Sequence, residues 1–197
     1  MDSVRYFLAL ITLLGLVPGL LLWFFIHPFV GFWRRLGPVW TYALLSLPVA
    51  ALMVGVFRAR GALLEREYGT QVVPVGLGVT CLIFAAMVAQ KRRRHLTFCV
   101  LAGIPELSSK PRSQKLLTEG IYGKIRHPRY VELMLWLLGY ASIANYLALY
   151  VAVPVSLAAL YLIVVLEERE LHDRFGSEYE EYCHAVPRFI PRPAPRG

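Results

Sequence analysis

Residues 131–166 read VELMLWLLGYASIANYLALYVAVPVSLAALYLIVVL, with Glu132 as the one charge among them. A single helix of that length would extend ~54 Å at 1.5 Å per residue, against a hydrocarbon core of ~30 Å. The stretch therefore predicts a hairpin of two membrane spans that turns near Ser142 to Asn145. Such a hairpin brings its two ends together. Arg126-His127-Pro128 stands before it and Glu167-Glu168 after it, so residues about forty positions apart are expected side by side on one face of the membrane.

The rest of the chain agrees with a membrane setting. It is 57% hydrophobic and 17% charged, with a mean hydropathy of +0.52; soluble domains carry about 25% charged residues. Further apolar runs lie at roughly 6–26, 39–57 and 72–89. The first holds Pro18-Gly19, a candidate kink, and Trp23 and Trp33 are candidate interfacial anchors. Only Arg5 is basic near the start, and no small-residue cleavage site follows the first run, so it reads as a retained span rather than a secretory signal. The expectation is an all-α polytopic membrane protein with about five transmembrane helices and a cytosolic, amphipathic helical tail. Helices are required because the bilayer interior offers backbone groups no other partner. Residues 1–90 form three N-terminal spans, and 91–197 a second half of loop 91–129, hairpin 130–166 and tail 167–197.

The net charge of +8 resides between the spans and sets orientation rather than nucleic-acid binding, for which no motif is present. Of 21 Lys and Arg, seventeen fall in segments that share one side: two at Arg34–Arg35, ten from Lys91 to Arg129 and five from Arg169 to Arg196. The other four are Arg5, Arg58, Arg60 and Arg66. This predicts an outside N-terminus, with loop 91–129 and the tail cytoplasmic.

Pro128 suits the first position of a helix, where its missing N–H costs nothing. The N–H groups exposed there, with Arg126 and Arg129, favour an anionic group. The returning helix ends in two carboxylates at its negative pole, an arrangement that repels itself unless a cation or donor fills the gap. Two readings fit: a mixed-charge ligand between the two ends, or carboxylates that cap the membrane exit and pair with Arg126 or Arg169. Beyond Glu168, Leu171, Phe175, Tyr179, Tyr182 and Val186 recur at helical spacing as one apolar face. Gly176 is a candidate stop, Ser177 with Glu180 a candidate capping box that restarts the helix, and Pro187 its end. Pro191, Pro193 and Pro195 predict an extended terminus.

Cys81, Cys99 and Cys183 lack disulfide or zinc spacing. The histidines lack the clustered boxes of a membrane di-iron enzyme. No metal site is expected; His27, His172 and His184 read as surface residues, His95 has no assignment, and only His127 has a context that asks for a role.

The string Gly120-Ile-Tyr122-Gly-Lys-Ile-Arg126-His127-Pro128-Arg-Tyr130, the hairpin, Glu167-Glu168-Arg-Glu-Leu171, Phe175-Gly176-Ser-Glu-Tyr179-Glu-Glu-Tyr182 and Val186-Pro187-Arg188-Phe-Ile-Pro191 closely resembles the isoprenylcysteine carboxyl methyltransferases and related phospholipid methyltransferases. The likeness covers about 116–191 and departs from the pattern at Ile121, where Pro is common, and Glu132, where Gly is expected. The resemblance implies an S-adenosylmethionine-dependent transfer of a methyl group to a lipophilic acceptor. It places Tyr122, Arg126, His127, Pro128, Tyr130, Glu167 and Glu168 around the cofactor. Arg126 or Arg188 would hold an acceptor carboxylate, while an amine acceptor would call on Glu168 or His127 as base. The implied partners are membrane lipids and a lipophilic or lipidated substrate. NADPH-dependent sterol reductases are a rival, but their tail carries Arg-Asp and Cys signatures where this chain has Glu167-Glu168 and Phe175-Gly176. A non-catalytic membrane protein is the other alternative.

Overall fold

The structure is a computed structural model that describes residues 2–93 and 116–192. His95, Cys99, the greater part of the 91–129 loop, Pro193 and Pro195 lie outside the described residues.

The described residues are helical, with one isolated antiparallel bridge between Glu67 and Tyr146. Helix α1 spans Asp2–Ile26 and continues through Pro18. A short 3-10 turn, His27–Phe29, leads to α2, Val30–Arg58, which breaks at Gly37, where φ is 77° and ψ 166°. A single turn, α3 (Arg60–Leu63), precedes α4, Val72–Arg93. The hairpin follows as α5, Pro128–Ala144, and α6, Leu147–Phe175, and the chain ends in α7, Ser177–Ala185.

Among the described residues four helical stretches are long and apolar enough to cross a membrane: Asp2–Ile26, Arg35–Arg58, Val72–Arg93 and Leu147–Phe175. Helix α5, with 17 residues, is the shorter arm of the hairpin and sits at the lower limit for a span. Exposed apolar side chains line the outer faces, among them Phe7, Ile11, Leu47, Leu77 and Val155, as expected for helices solvated by lipid tails. The protein is an all-α, integral membrane protein.

The hairpin turns where the sequence expects. Asn145 adopts the left-handed conformation (φ 59°, ψ 47°) and its N–H closes α5 on the Ala141 carbonyl at 2.9 Å. Asparagine tolerates this conformation because its short polar side chain bonds locally. Its Nδ2 donates to the Gly69 carbonyl at 2.8 Å and its Oδ1 accepts from the Tyr150 hydroxyl at 2.8 Å. Arg5, buried at this end, donates from Nε to the Ala144 carbonyl at 3.0 Å.

At the helix crossing of α4 and α5, small residues permit close approach. A Cβ on Gly78 would fall 2.8 Å from the Gly139 carbonyl oxygen, and one on Gly139 would fall 2.5 Å from Leu82 Cδ2. This crossing sets the end of α4 against the start of α5, where the candidate site lies.

The tail is bent at Gly176 (φ 55°) as its sequence suggests, but Ser177 and Glu180 form no capping box. Gly176 itself occupies the cap, its carbonyl accepting from the Tyr179 and Glu180 amides. The Glu180 side chain instead meets His172 Nε2 at 2.8 Å. The glycine conformation overlaps the two helices so closely that Ser177 already belongs to the first turn. Tyr179, Tyr182 and Val186 are buried together, with Leu116, Leu171 and Phe175 against them.

Candidate functional site

The local fold begins with a 3-10 turn at Gly120–Gly123, with Gly120 at φ 63°. Ile121 and Ile125 are buried beneath it, so the side chain standing where proline is common serves as an anchor. Pro128 opens α5 at its first turn, and the backbone before it pairs with the tail. The Arg126 amide donates to the Pro187 carbonyl at 2.9 Å and the His127 amide to the Arg188 carbonyl at 3.1 Å. The tail thus returns across the hairpin's entry, and the Tyr182 hydroxyl fastens it by donating to the Tyr122 carbonyl at 2.7 Å.

Glu168 is the centre of the arrangement. It is 9% exposed and receives three cationic or potentially cationic groups. Arg126 donates to its Oε1 from Nη2 at 2.9 Å and from Nε at 3.3 Å. His127 Nε2 lies 3.0 Å from the same oxygen. Arg188 donates from Nε at 2.8 Å to Oε2, and Nη2 reaches the same oxygen. Such charge-assisted bonds offset the cost of burying a carboxylate. Hydrogen bonding to Glu168 raises the Arg188 pKa, against the opposing pull of burial.

These contacts define what each residue is free to do. Arg126 gives its remaining Nη1 to the Cys183 and Val186 carbonyls at 2.9 and 2.7 Å, and Arg188 gives Nη1 to the Tyr161 hydroxyl at 3.1 Å. Both arginines are engaged with Glu168 and the fold. Glu167 differs: its Oε2 is buried without a hydrogen-bond partner and lies 4.0 Å from His127 Nδ1. Tyr130 is buried with its ring edge-on to His127, centroids 5.7 Å apart, and Phe189 covers another side of the imidazole at 6.1 Å.

The tyrosines around this core are held neutral. Burial, partly countered by Arg126, pushes the Tyr182 phenol up to about 12. Burial followed by the Glu168 charge raises Tyr179, whose hydroxyl is buried without a partner. Burial also raises Tyr122, with Arg92 pulling in the other direction and Glu167 adding to the rise.

Two cavities flank the core. One, of about 510 Å³, has Glu168, Arg169, His172, Tyr179 and Arg188 in its wall. The other, of about 700 Å³, lies between α4 and α5. Phe84, Met87, Val88, Val131, Leu135 and Phe189 form its apolar wall, and Lys91 and Lys124 are also there. Among the described residues no group of three His, Cys, Asp or Glu side chains is placed to hold a metal ion.

The structure therefore unites Arg126, His127, Glu168 and Arg188 directly, sets Tyr130 and Glu167 beside His127, and ties Tyr122 to the tail. The pair Arg92–Glu132 escapes a reading of the sequence. Arg92 Nε donates to Glu132 Oε2 at 2.7 Å, and both residues are buried. In sequence Arg92 is one of a basic run that ends a span, and only the helix crossing reveals Glu132 as its partner.

The phospholipid methyltransferase family profile matches residues 75–178, just over half of the chain, and includes the hairpin and Glu168. The chain belongs to the phospholipid methyltransferase family. Among similar proteins is the protein-S-isoprenylcysteine O-methyltransferase of Schizosaccharomyces pombe, 33% identical over 85 residues, 43% of this chain and 36% of that protein. A nickel-cobalt-cadmium resistance protein of Alcaligenes xylosoxydans xylosoxydans is 30% identical over 81 residues, 41% of this chain and 38% of that protein. The protein-S-isoprenylcysteine O-methyltransferase B of Arabidopsis thaliana is 33% identical over 86 residues, 39% of this chain and 40% of that protein. The matched segment is thus well under half the length of each of these relatives.

Proposed function

We propose that this phospholipid methyltransferase family member is an S-adenosylmethionine-dependent enzyme that methylates a lipophilic acceptor by carboxyl O-methylation, most like the isoprenylcysteine O-methylation that names its fungal and plant relatives. The observation that carries the reading is the Glu168 centre, where hairpin and tail converge on one buried carboxylate inside the family-matched segment. The buried Glu167 Oε2 and Tyr179 hydroxyl have no hydrogen-bond partner, and the ammonium and ribose hydroxyls of such a cofactor would satisfy them. Tyr122, Arg126, His127, Pro128, Tyr130, Glu167 and Glu168 form the cofactor-binding set in this reading. S-adenosylmethionine supplies an electrophilic methyl on a sulfonium when bound.

The residues would act by placement. Glu168 holds Arg126, His127 and Arg188 in one fixed constellation, and the tail excludes water over the hairpin's entry, a condition that favours charge-dispersing methyl transfer. An acceptor carboxylate is already ionised at neutral pH, so no base is required. The apolar cavity between α4 and α5 suits an isoprenyl or acyl chain, with Lys91 and Lys124 near an anionic end. The charge bias of the loops supports a cytoplasmic site and tail with the N-terminus outside, and the loop 91–129, hairpin 130–166 and tail 167–197 form the cofactor-binding catalytic half in this reading.

The test is incubation of purified protein and membranes with labelled methyl donor, followed by lipid extraction and identification of the labelled fraction. Base-labile methyl ester on a prenylcysteine is the expected product; label on a phospholipid amine would move the reading to N-methylation. Thermal stabilisation by NADPH and not by S-adenosylhomocysteine would overturn it.

A further inference from the structure

The seam between α4 and α5 carries a charged device that the motif residues do not use. Arg92, 5% exposed, is the penultimate residue of α4, and its Nε is fixed on Glu132, one turn into α5, at 2.7 Å. The ion pair orients the guanidinium plane without occupying all of it. Nη1 is buried and has no hydrogen-bond partner. An unmet donor on a buried cation is expensive, and folds tolerate it where a ligand answers it.

The surroundings point to the kind of ligand. Lys91, the residue before Arg92, shares a cavity wall with Gly120 and Ile121 of the turn that carries Tyr122, and both Arg92 and Glu167 act on the Tyr122 phenol. Glu167 brings the complementary defect, a buried carboxylate oxygen with no donor. Among the described residues Arg92 pairs with Glu132 and forms no ion pair with Glu167. This end of the bundle thus holds a donor lacking an acceptor and an acceptor lacking a donor. A phosphate would bring more negative charge than one N–H of an already neutralised arginine answers, whereas a planar carboxylate matches a guanidinium edge. Glu132 occupies the position where the family pattern has glycine, and here its role is to hold Arg92 in that pose.

We propose that Arg92, oriented by Glu132, is a carboxylate-binding residue of the site, its Nη1 receiving the carboxylate of either the methyl donor's amino-acid end or the acceptor. This rests on the methyltransferase reading above and adds to it a residue outside the motif. Arg126 and Arg188 are both held by Glu168, which leaves Arg92, among the described residues, as the guanidinium with a buried unmet donor at this end of the bundle.

The test uses the full chain in detergent and two variants. R92Q retains a hydrogen bond to Glu132 and removes the Nη1 donor, while R92M/E132M replaces the whole pair by apolar side chains, a change that buried ion pairs commonly tolerate. Binding of S-adenosylmethionine and of its decarboxylated analogue is measured by calorimetry, and turnover with N-acetyl-S-farnesylcysteine gives the acceptor KM. If the donor's carboxylate sits on Arg92, both variants weaken S-adenosylmethionine about 10–100-fold, the range of one charged hydrogen bond, and leave the decarboxylated analogue unchanged. If the acceptor's carboxylate sits there, donor affinity is retained and the acceptor KM rises by a similar factor. Either folded variant with donor affinity and acceptor KM within twofold of the parent overturns the proposal. Absence of donor binding by the parent protein overturns the methyltransferase reading and this proposal with it, so the two failures are distinguishable.

Discussion

Arg126 Nη2 donates to Glu168 Oε1 at 2.9 Å across 42 positions of sequence. The bond joins the residue just before the hairpin to one just after it, while the same guanidinium holds two tail carbonyls. Entry, exit and tail are therefore locked by one side chain. This makes the site and the local fold the same object, and mutational effects at it should couple binding to stability.

Glu168→Ala removes the anion from among Arg126, His127 and Arg188. Breaking a buried pair by deleting one partner costs about 3–5 kcal/mol, so the variant should unfold at markedly lower temperature in detergent. Glu168→Gln keeps an acceptor and should fold better, yet bind S-adenosylhomocysteine at least tenfold more weakly. Wild-type affinity in Glu168→Gln would remove the site from this location.

Arg126→Lys retains the charge but offers one ammonium where the guanidinium serves Glu168, Cys183 and Val186 together. The tail around 177–192 should exchange amide hydrogens faster and be cut more readily by protease, while α1 to α4 keep their protection. Uniform loosening of all helices would argue against a local clamp.

Gly78→Ala places a methyl 2.5 Å from Ile143 Cγ1 and 2.8 Å from the Gly139 backbone oxygen, and the backbone cannot give way as a side chain can. Overpacking of this kind costs about 1–3 kcal/mol, and it should disturb Arg92–Glu132 by parting α4 from α5. Gly76→Ala, with nothing within 4 Å of the added methyl, is the internal control. Equal thermal midpoints for the two variants would contradict the close crossing.

The Tyr182 phenol, pushed up from 10.0 to about 12 by burial, gives a pH dependence of known sign. The unfolded phenol ionises near 10 and the folded one later, so its contribution is complete below pH 10. It is lost as pH rises from 10 through 12. Tail docking should weaken over that window, followed by tyrosinate absorbance and unfolding midpoint together, and Tyr182→Phe should shed this part of the alkaline loss.

The hairpin was legible because bilayer thickness and helix rise leave one solution for a stretch of 36 residues that is almost wholly apolar. Asn145 could be anticipated as part of the turn, and Pro128 as a helix start, since both follow from single-residue backbone preferences. The grouping of Arg126 and His127 with Glu168 followed from connectivity alone. The apolar face from Leu171 to Val186 was equally visible as a periodicity, whereas Ser177 with Glu180 misled: a capping signal states which bonds are available, not which neighbour, here His172, is nearer.

Sequence by itself determined the elements, the membrane setting and which ends of the hairpin meet, because those depend on hydrophobic length and backbone rules that each segment carries alone. The tertiary structure decided the roles within the site. Arg126 and Arg188 are committed to Glu168 because the tail folds back over the hairpin's two ends, and Glu132 orients Arg92 because Gly78 and Gly139 let α4 and α5 approach closely. Hydrogen-bond partnership is fixed by distances of a few ångströms between segments, and no one-dimensional pattern contains those distances.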